Sequence, residues 1–95
     1  MDTTKRLLGE IVEMEYYCKH GYDSDYYAGY LYGLKCAYQT VTDMQDIPAT
    51  YFKNDGTFVV VFCVGLTEDY DELMEYVYGT YFIDDDDKIH VKFKD

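Results

Sequence analysis

Leu7, Ile11, Met14 and Cys18 recur at steps of three and four residues, with Leu8, Val12 and Glu15 around them. That spacing predicts one apolar stripe on a helix from about Thr3 to His20. Asp2 or Thr3 can cap its start, and Gly21 suits the left-handed residue beyond its end. A second stripe, Tyr27, Tyr30, Leu31, Leu34, Tyr38, Val41 and Met44, predicts a helix that begins near Asp23 or Ser24, either of which can accept an orphan N–H bond. Gly29, Gly33 and Ala37 fall four apart along one edge of that helix. An interior glycine costs about 1 kcal/mol against alanine, so the first helix is expected to lie antiparallel in this shallow groove. Pro48 stops helical structure by pushing Ile47 toward extended geometry.

Beyond Pro48 the period changes. Tyr51-Phe52-Lys53, then Asn54-Asp55-Gly56, then Thr57 to Val64 reads as a β-hairpin, with Asp-Gly supplying the positive φ of a tight turn. Phe58 to Val64 is apolar on both faces, as a central covered strand should be. Tyr70, Leu73, Met74, Val77, Tyr78 and Tyr81 fit a helical stripe opposite Glu68, Asp71, Glu72 and Glu75. Asp69, three before Glu72, resembles a capping box. The preferred reading is a short third helix ending near Gly79. A strand is the rival, because Tyr76, Val77, Tyr78, Tyr81 and Phe82 all favour sheet. Tyr81-Phe82-Ile83 and Ile89 to Phe93 then form a second hairpin around Asp84 to Asp87, with Ile89, Val91 and Phe93 on one face and His90, Lys92 and Lys94 on the other. The expected fold is α+β: two N-terminal antiparallel helices, a small antiparallel sheet of about four strands and a short third helix, in a single domain over residues 1–95. No repeat or linker interrupts it.

Charge changes the picture most. Nineteen Asp and Glu face eight Lys and Arg, for a formal net charge of -11. Solubility asks for a net charge of only roughly 2 to 8 in magnitude, and the excess self-repulsion destabilises the folded state. Such a surface repels nucleic acid and anionic membranes and attracts basic proteins, above all those built to hold phosphates. Hydrophobic content of 48% and aromatic content of 19% exclude a disordered acidic tail. A salt-loving organism would also give an acidic protein, but salt does not explain thirteen tyrosines. No apolar run reaches the 18 or more residues that a spanning helix needs, and Glu10 and Glu13 interrupt any signal-peptide core. Cys18, Cys36 and Cys63 are too widely spaced for a disulfide framework or a zinc site. Buried free thiols in a reducing cytoplasm, that of a host cell, are expected.

Catalytic chemistry finds little footing. His20 sits at a helix C-terminus and His90 on a polar strand face, both ordinary exposed settings. A cysteine nucleophile needs an electropositive site, and no G-x-S-x-G, phosphate loop or HExxH occurs. The chain is therefore read as no enzyme, with no cofactor and no metal. Asp84-Asp85-Asp86-Asp87 lacks the glycine and the glutamate of an EF-hand. It serves either as a solvated turn or as a negative knob for a cationic partner. With Glu68, Asp69, Asp71, Glu72 and Glu75 it makes two acidic clusters, which could imitate the charge row of a duplex. Tyr16, Tyr17, Tyr22, Tyr26, Tyr32 and Tyr76 are expected outside the core, where tyrosine next to carboxylates suits recognition of Arg and Lys.

In size, charge and tyrosine content the chain resembles the small acidic anti-defence inhibitors that phages and mobile elements encode, the anti-restriction DNA mimics and anti-CRISPR proteins. That class has no common fold and no motif to match. The resemblance implies a stoichiometric inhibitor that occupies a basic groove of a nuclease or CRISPR effector, with no direct contact to nucleic acid or membrane. Its contacts would be Glu68, Asp69, Asp71, Glu72, Glu75, Asp84, Asp85, Asp86 and Asp87, with Tyr76 as aromatic anchor. An immunity protein or antitoxin against a basic nuclease toxin is the first alternative. A self-associating structural protein or homodimer, using the tyrosine-rich second helix, is another, and a small hydrolase stands last.

Overall fold

The computed structural model describes residues 3–22, 24–43, 46–64 and 76–94. Two helices, α1 (Thr3–Lys19) and α2 (Ser24–Thr42), precede four strands: β1 (Asp46–Phe52), β2 (Thr57–Val64), β3 (Tyr76–Ile83) and β4 (Ile89–Phe93). All neighbours are antiparallel in the order β1-β2-β3-β4. Leu8, Ile11, Val12 and Tyr38 from the helices meet Phe58, Val60 and Phe62 of the sheet, so the core lies between one sheet face and α1. This is the expected α+β arrangement.

Local chemistry explains where α1 stops. Gly21 takes φ 80°, and the Tyr22 N–H reaches back to the Tyr17 carbonyl at 3.2 Å, a left-handed cap that only glycine adopts without strain. The buried stripe is Leu8, Ile11, Val12 and Glu15, one position round from the line through Leu7, Met14 and Cys18. A carboxylate sets that rotation. Glu15 is 4% exposed; its Oε2 accepts the Thr50 N–H at 2.5 Å, and its Oε1 pairs with Lys35 Nζ at 2.8 Å.

The α2 groove departs from expectation. Tyr27 meets Tyr17 at 5.0 Å, Tyr38 stacks on Phe62, and Leu31 and Leu34 pack against the core. With Lys35, these residues form the inward stripe. Gly29 and Gly33 face open space instead of α1, and Tyr30 and Val41 are exposed. The physical reason is the Lys35–Glu15 pair, which turns the Leu31–Leu34–Tyr38 side toward α1.

The third helix also fails where it can be checked. Tyr76 to Gly79 belong to β3, paired with β2 from Val61↔Tyr76 to Phe58↔Gly79. Residues 70–75 lie outside the described residues. Tyr76, Val77 and Tyr78 favour sheet intrinsically, and pairing with an apolar central strand outweighs their helical spacing. Gly79 has a specific use there. It stands between Phe58 and Phe93 in register, and a Cβ on it would come 2.4 Å from the Phe58 ring. Its missing side chain lets those two rings meet edge to face at 5.7 Å.

Both sheet edges are covered by α1. The Lys53 N–H bonds the Thr57 carbonyl at 2.9 Å, and that pairing sets the alternation along β1. Thr50 and Pro48 therefore point their backbone groups away from β2. Pro48 has no N–H to leave exposed. Glu15 takes the Thr50 N–H, and Lys19, one turn on, donates to the Thr50 carbonyl. On β4, the outward Ile89 N–H finds the Tyr17 hydroxyl at 3.2 Å.

Breaking a buried ion pair by removing one partner costs about 3–5 kcal/mol. Glu15→Ala, which also orphans the Thr50 N–H, is expected to lose that much in urea unfolding. Lys35→Met should cost less, because Lys35 is partly exposed. In the double variant Glu15→Ala/Lys35→Met the loss should be smaller than the sum of the single losses. Strict additivity would show that the pair contributes nothing.

Candidate partner-binding surface

The turn between β3 and β4 is organised by its first aspartate. The Asp84 Oδ1 accepts the N–H groups of Asp86 (2.8 Å) and Lys88 (3.0 Å), while its Oδ2 lies 2.7 Å from His90 Nε2. The Asp84 N–H bonds the Lys88 carbonyl, and Asp87 takes φ 60°, a left-handed conformation that Asp tolerates better than most residues. The His90 ring in turn stacks on Phe82 at 4.7 Å. Hydrogen bonds from the His90 ring and from the Lys88 and Asp86 amides hold the Asp84 carboxyl below its ordinary range. One carboxylate of the four thus builds the turn, and Asp85, Asp86 and Asp87 stand exposed at its tip.

One further carboxylate lies near His90. Glu13 on α1 is pushed up by burial and by the like charge of Glu10, with His90 close enough to oppose the shift. Asp87 acts on Tyr16, whose hydroxyl is raised chiefly by burial. Glu13 thus lies close to His90, while Glu10 stands one helical turn nearer the Val91–Phe93 end of β4, against which Gly9 packs. In sequence Glu10 and Glu13 look like polar breaks in an amphipathic helix. Only the crossing of α1 over β4 reveals where they go.

The other expected contacts divide. Glu68, Asp69, Asp71, Glu72 and Glu75 lie outside the described residues. Tyr76 is about half exposed and neighbours Tyr78 with ring centroids 6.3 Å apart. It stands eight residues from Asp84 along β3, about 26 Å at ~3.3 Å per strand residue, so the turn and the anchor do not share one patch. Of the tyrosines expected outside the core, Tyr26 and Tyr32 are exposed, whereas Tyr16, Tyr17 and Tyr22 are half-buried. Tyr30 and Tyr78, expected inside, are exposed.

Reactive chemistry remains sparse. Cys36 is exposed, against the expectation of buried thiols. Cys18 is half-buried, and burial together with the nearby Glu15 carboxylate pushes its thiol up, which disfavours the nucleophilic thiolate. His20 stacks on Tyr16 and places Nδ1 2.8 Å from the Tyr16 carbonyl, a helix-end contact. Among the described residues no group of three His, Cys, Asp or Glu could hold a metal ion, and no helix is long and apolar enough to cross a membrane. No protein-family model matches the chain, and neither a curated protein nor a solved structure is significantly similar to it.

The depressed Asp84 sets a pH dependence. Its contribution is fully present above the ordinary aspartate value of 3.8 and is lost as pH falls through the lower folded-state value. Glu13 runs the other way, regaining stability as pH falls toward 4.5. The urea midpoints of wild type and Asp84→Ala should differ at neutral pH and converge below pH 3.8. A difference that persists at low pH would mean that the Asp84 carboxylate does not hold the turn.

Proposed function

We propose that the protein is a non-catalytic inhibitor that binds the basic, nucleic-acid-holding surface of another protein, a nuclease or a CRISPR effector, and blocks its DNA- or RNA-directed activity. The observation that carries this reading is the division of labour in the β3–β4 turn. Asp84 fixes the backbone, and Asp85, Asp86 and Asp87 are held outward on it. A turn stapled in this way presents three charges without the ordering cost that a mobile acidic loop meets on binding. The net charge of -11 draws a basic partner from a distance. A host-cell cytoplasm is the compartment this activity requires. An immunity protein acting on a nuclease toxin would use the same surface, and the captured partner tells the two apart.

Self-association is a second reading, favoured by the outer side of α2. Tyr26, Tyr30, Tyr32 and Val41 are exposed there, and nothing comes within 4 Å of a Cβ placed on Gly29 or Gly33. An oligomer that survives high salt in size-exclusion chromatography and dissociates on Tyr30→Glu would support it. A monomer at all protein concentrations would exclude it.

For the inhibitor reading, the chain is used to capture proteins from host lysate at low and high salt, with and without competing duplex DNA. One nucleic-acid enzyme, retained at low salt and displaced by DNA, is the expected result. Exposed ion pairs contribute roughly 0.2–1 kcal/mol each. The triple variant Asp85→Asn/Asp86→Asn/Asp87→Asn should therefore bind the purified enzyme on the order of tenfold more weakly. Failure to capture any basic partner would overturn the reading.

A further inference from the structure

Three of the eight Lys and Arg side chains of this acidic protein surround one cleft. It occupies about 450 Å³ on the sheet and is lined by Lys53, Thr57, Tyr78, Thr80, Lys92 and Lys94, with Gly79 contributing backbone. That volume lies within the roughly 300–1,000 Å³ of small-molecule sites.

The register explains how the cleft is assembled. Thr57 pairs with Thr80, Thr80 with Lys92, and Lys53 bonds Thr57 across the first hairpin. Lys53, Thr57, Thr80 and Lys92 thus form one row across all four strands, on the face away from the helices. Two threonines sit between two lysines, whose flexible stems let both ammonium groups converge over the middle of the row. The adjoining row is Tyr51, Val59, Tyr78 and Lys94, which brings an aromatic ring and a third ammonium to the same place. Among the described residues, none of the three lysines forms an ion pair within 4.0 Å. Among the described residues, Asp55 is a carboxylate close to Lys53. It is engaged by the Thr57 hydroxyl at 2.5 Å and the Thr57 N–H at 3.1 Å, besides feeling the charge of Lys53.

The acidic turn does not cancel this local charge. Thr80 stands four residues from Asp84, about 13 Å along the strand. The screening length at physiological salt is about 8 Å, so the acidic turn is largely screened from the lysine row. Positive charge, a free hydroxyl on Thr80 and the exposed ring of Tyr78 meet within one concavity. We infer that this cleft binds a small organic phosphate whose flat ring packs on Tyr78 while Lys53, Lys92 and Lys94 hold its phosphate, a ligand of mononucleotide class. This site is separate from the acidic surface that carries the proposed inhibition.

The test is a titration of the full chain, followed by amide NMR shifts, with adenosine monophosphate and with adenosine as probes. Adenosine monophosphate should shift the amides of Thr57, Thr80 and Lys92 saturably, at concentrations on the order of 1 mM or below. Adenosine should be at least tenfold weaker. The variant Lys92→Ala/Lys94→Ala changes only exposed side chains, should keep the wild-type spectrum elsewhere, and should lose the response at least tenfold. Tyr78→Leu should weaken adenosine monophosphate while leaving the spectrum of the core unchanged. Absence of any response, shifts that map away from the Lys53–Lys92 row, or equal responses to both probes would each overturn the assignment.

Discussion

Everything in this fold that faces α1 is tied to one buried carboxylate. Glu15 holds α2 through Lys35 and the open edge of the sheet through the Thr50 N–H. A charge at that depth is unfavourable unless each oxygen has a partner, and here each oxygen has a different one. Glu15 and its two partners sit on α1, α2 and β1, so the helix–helix and helix–sheet orientations cannot change independently. The rotation of the α1 stripe, the choice of the inward side of α2 and the outward placement of the α2 glycines all follow. The Thr50 hydroxyl, fully buried next to this bridge and without a hydrogen-bond partner among the described residues, is the desolvation cost that the arrangement tolerates.

The same helix solves the problem of sheet edges. A meander of four strands leaves two edges with unpaired backbone groups, which invite pairing with other chains. Glu15 and Lys19 are four residues apart and so lie on one side of α1. They present an acceptor and a donor to the N–H and C=O of a single edge residue, as a fifth strand would. Tyr17 likewise serves the Ile89 N–H on the opposite edge, and Pro48 has no N–H donor to leave unpaired on its own. These edge contacts are polar residues of an amphipathic helix placed with as much consequence as its apolar ones.

How much of this was legible in the sequence depends on whether the signal was local. The C-terminal end of α1, the Asp-Gly turn and the two-faced alternation of β4 are matters of backbone preference and period. They agree with the structure at Gly21, Gly56 and Ile89 to Phe93. The segment from Tyr76 to Gly79 carries both a helical spacing and β-forming residues, and only the availability of β2 as a partner decides between them. Gly29 and Gly33 look like a packing groove because the cost of glycine in a helix suggests compensation, yet α1 is held elsewhere by Lys35. The candidate site was legible in part. A run of four aspartates is visible at once, but that Asp84 serves the turn and that Glu13 comes near His90 are tertiary facts. The lysine row was invisible for the same reason: Lys53 and Lys92 are far apart in the chain and meet only through strand register.

Segregation of charge links the two proposed activities. The β3–β4 hairpin carries three outward aspartates at its tip and Lys92 with Lys94 toward its other end. Because the separation exceeds the screening length, each end acts on its surroundings with its own sign. A small anion can occupy the lysine row without approaching the tip. A strand of phosphates bound there and running on toward the turn would meet the three outward aspartates. Repulsion from the turn therefore falls on a strand that reaches it and not on a compact phosphate held at the cleft. An acidic protein can hold a phosphate site under this condition, that the repulsion operates at the range of a polymer and fades at the range of a monomer.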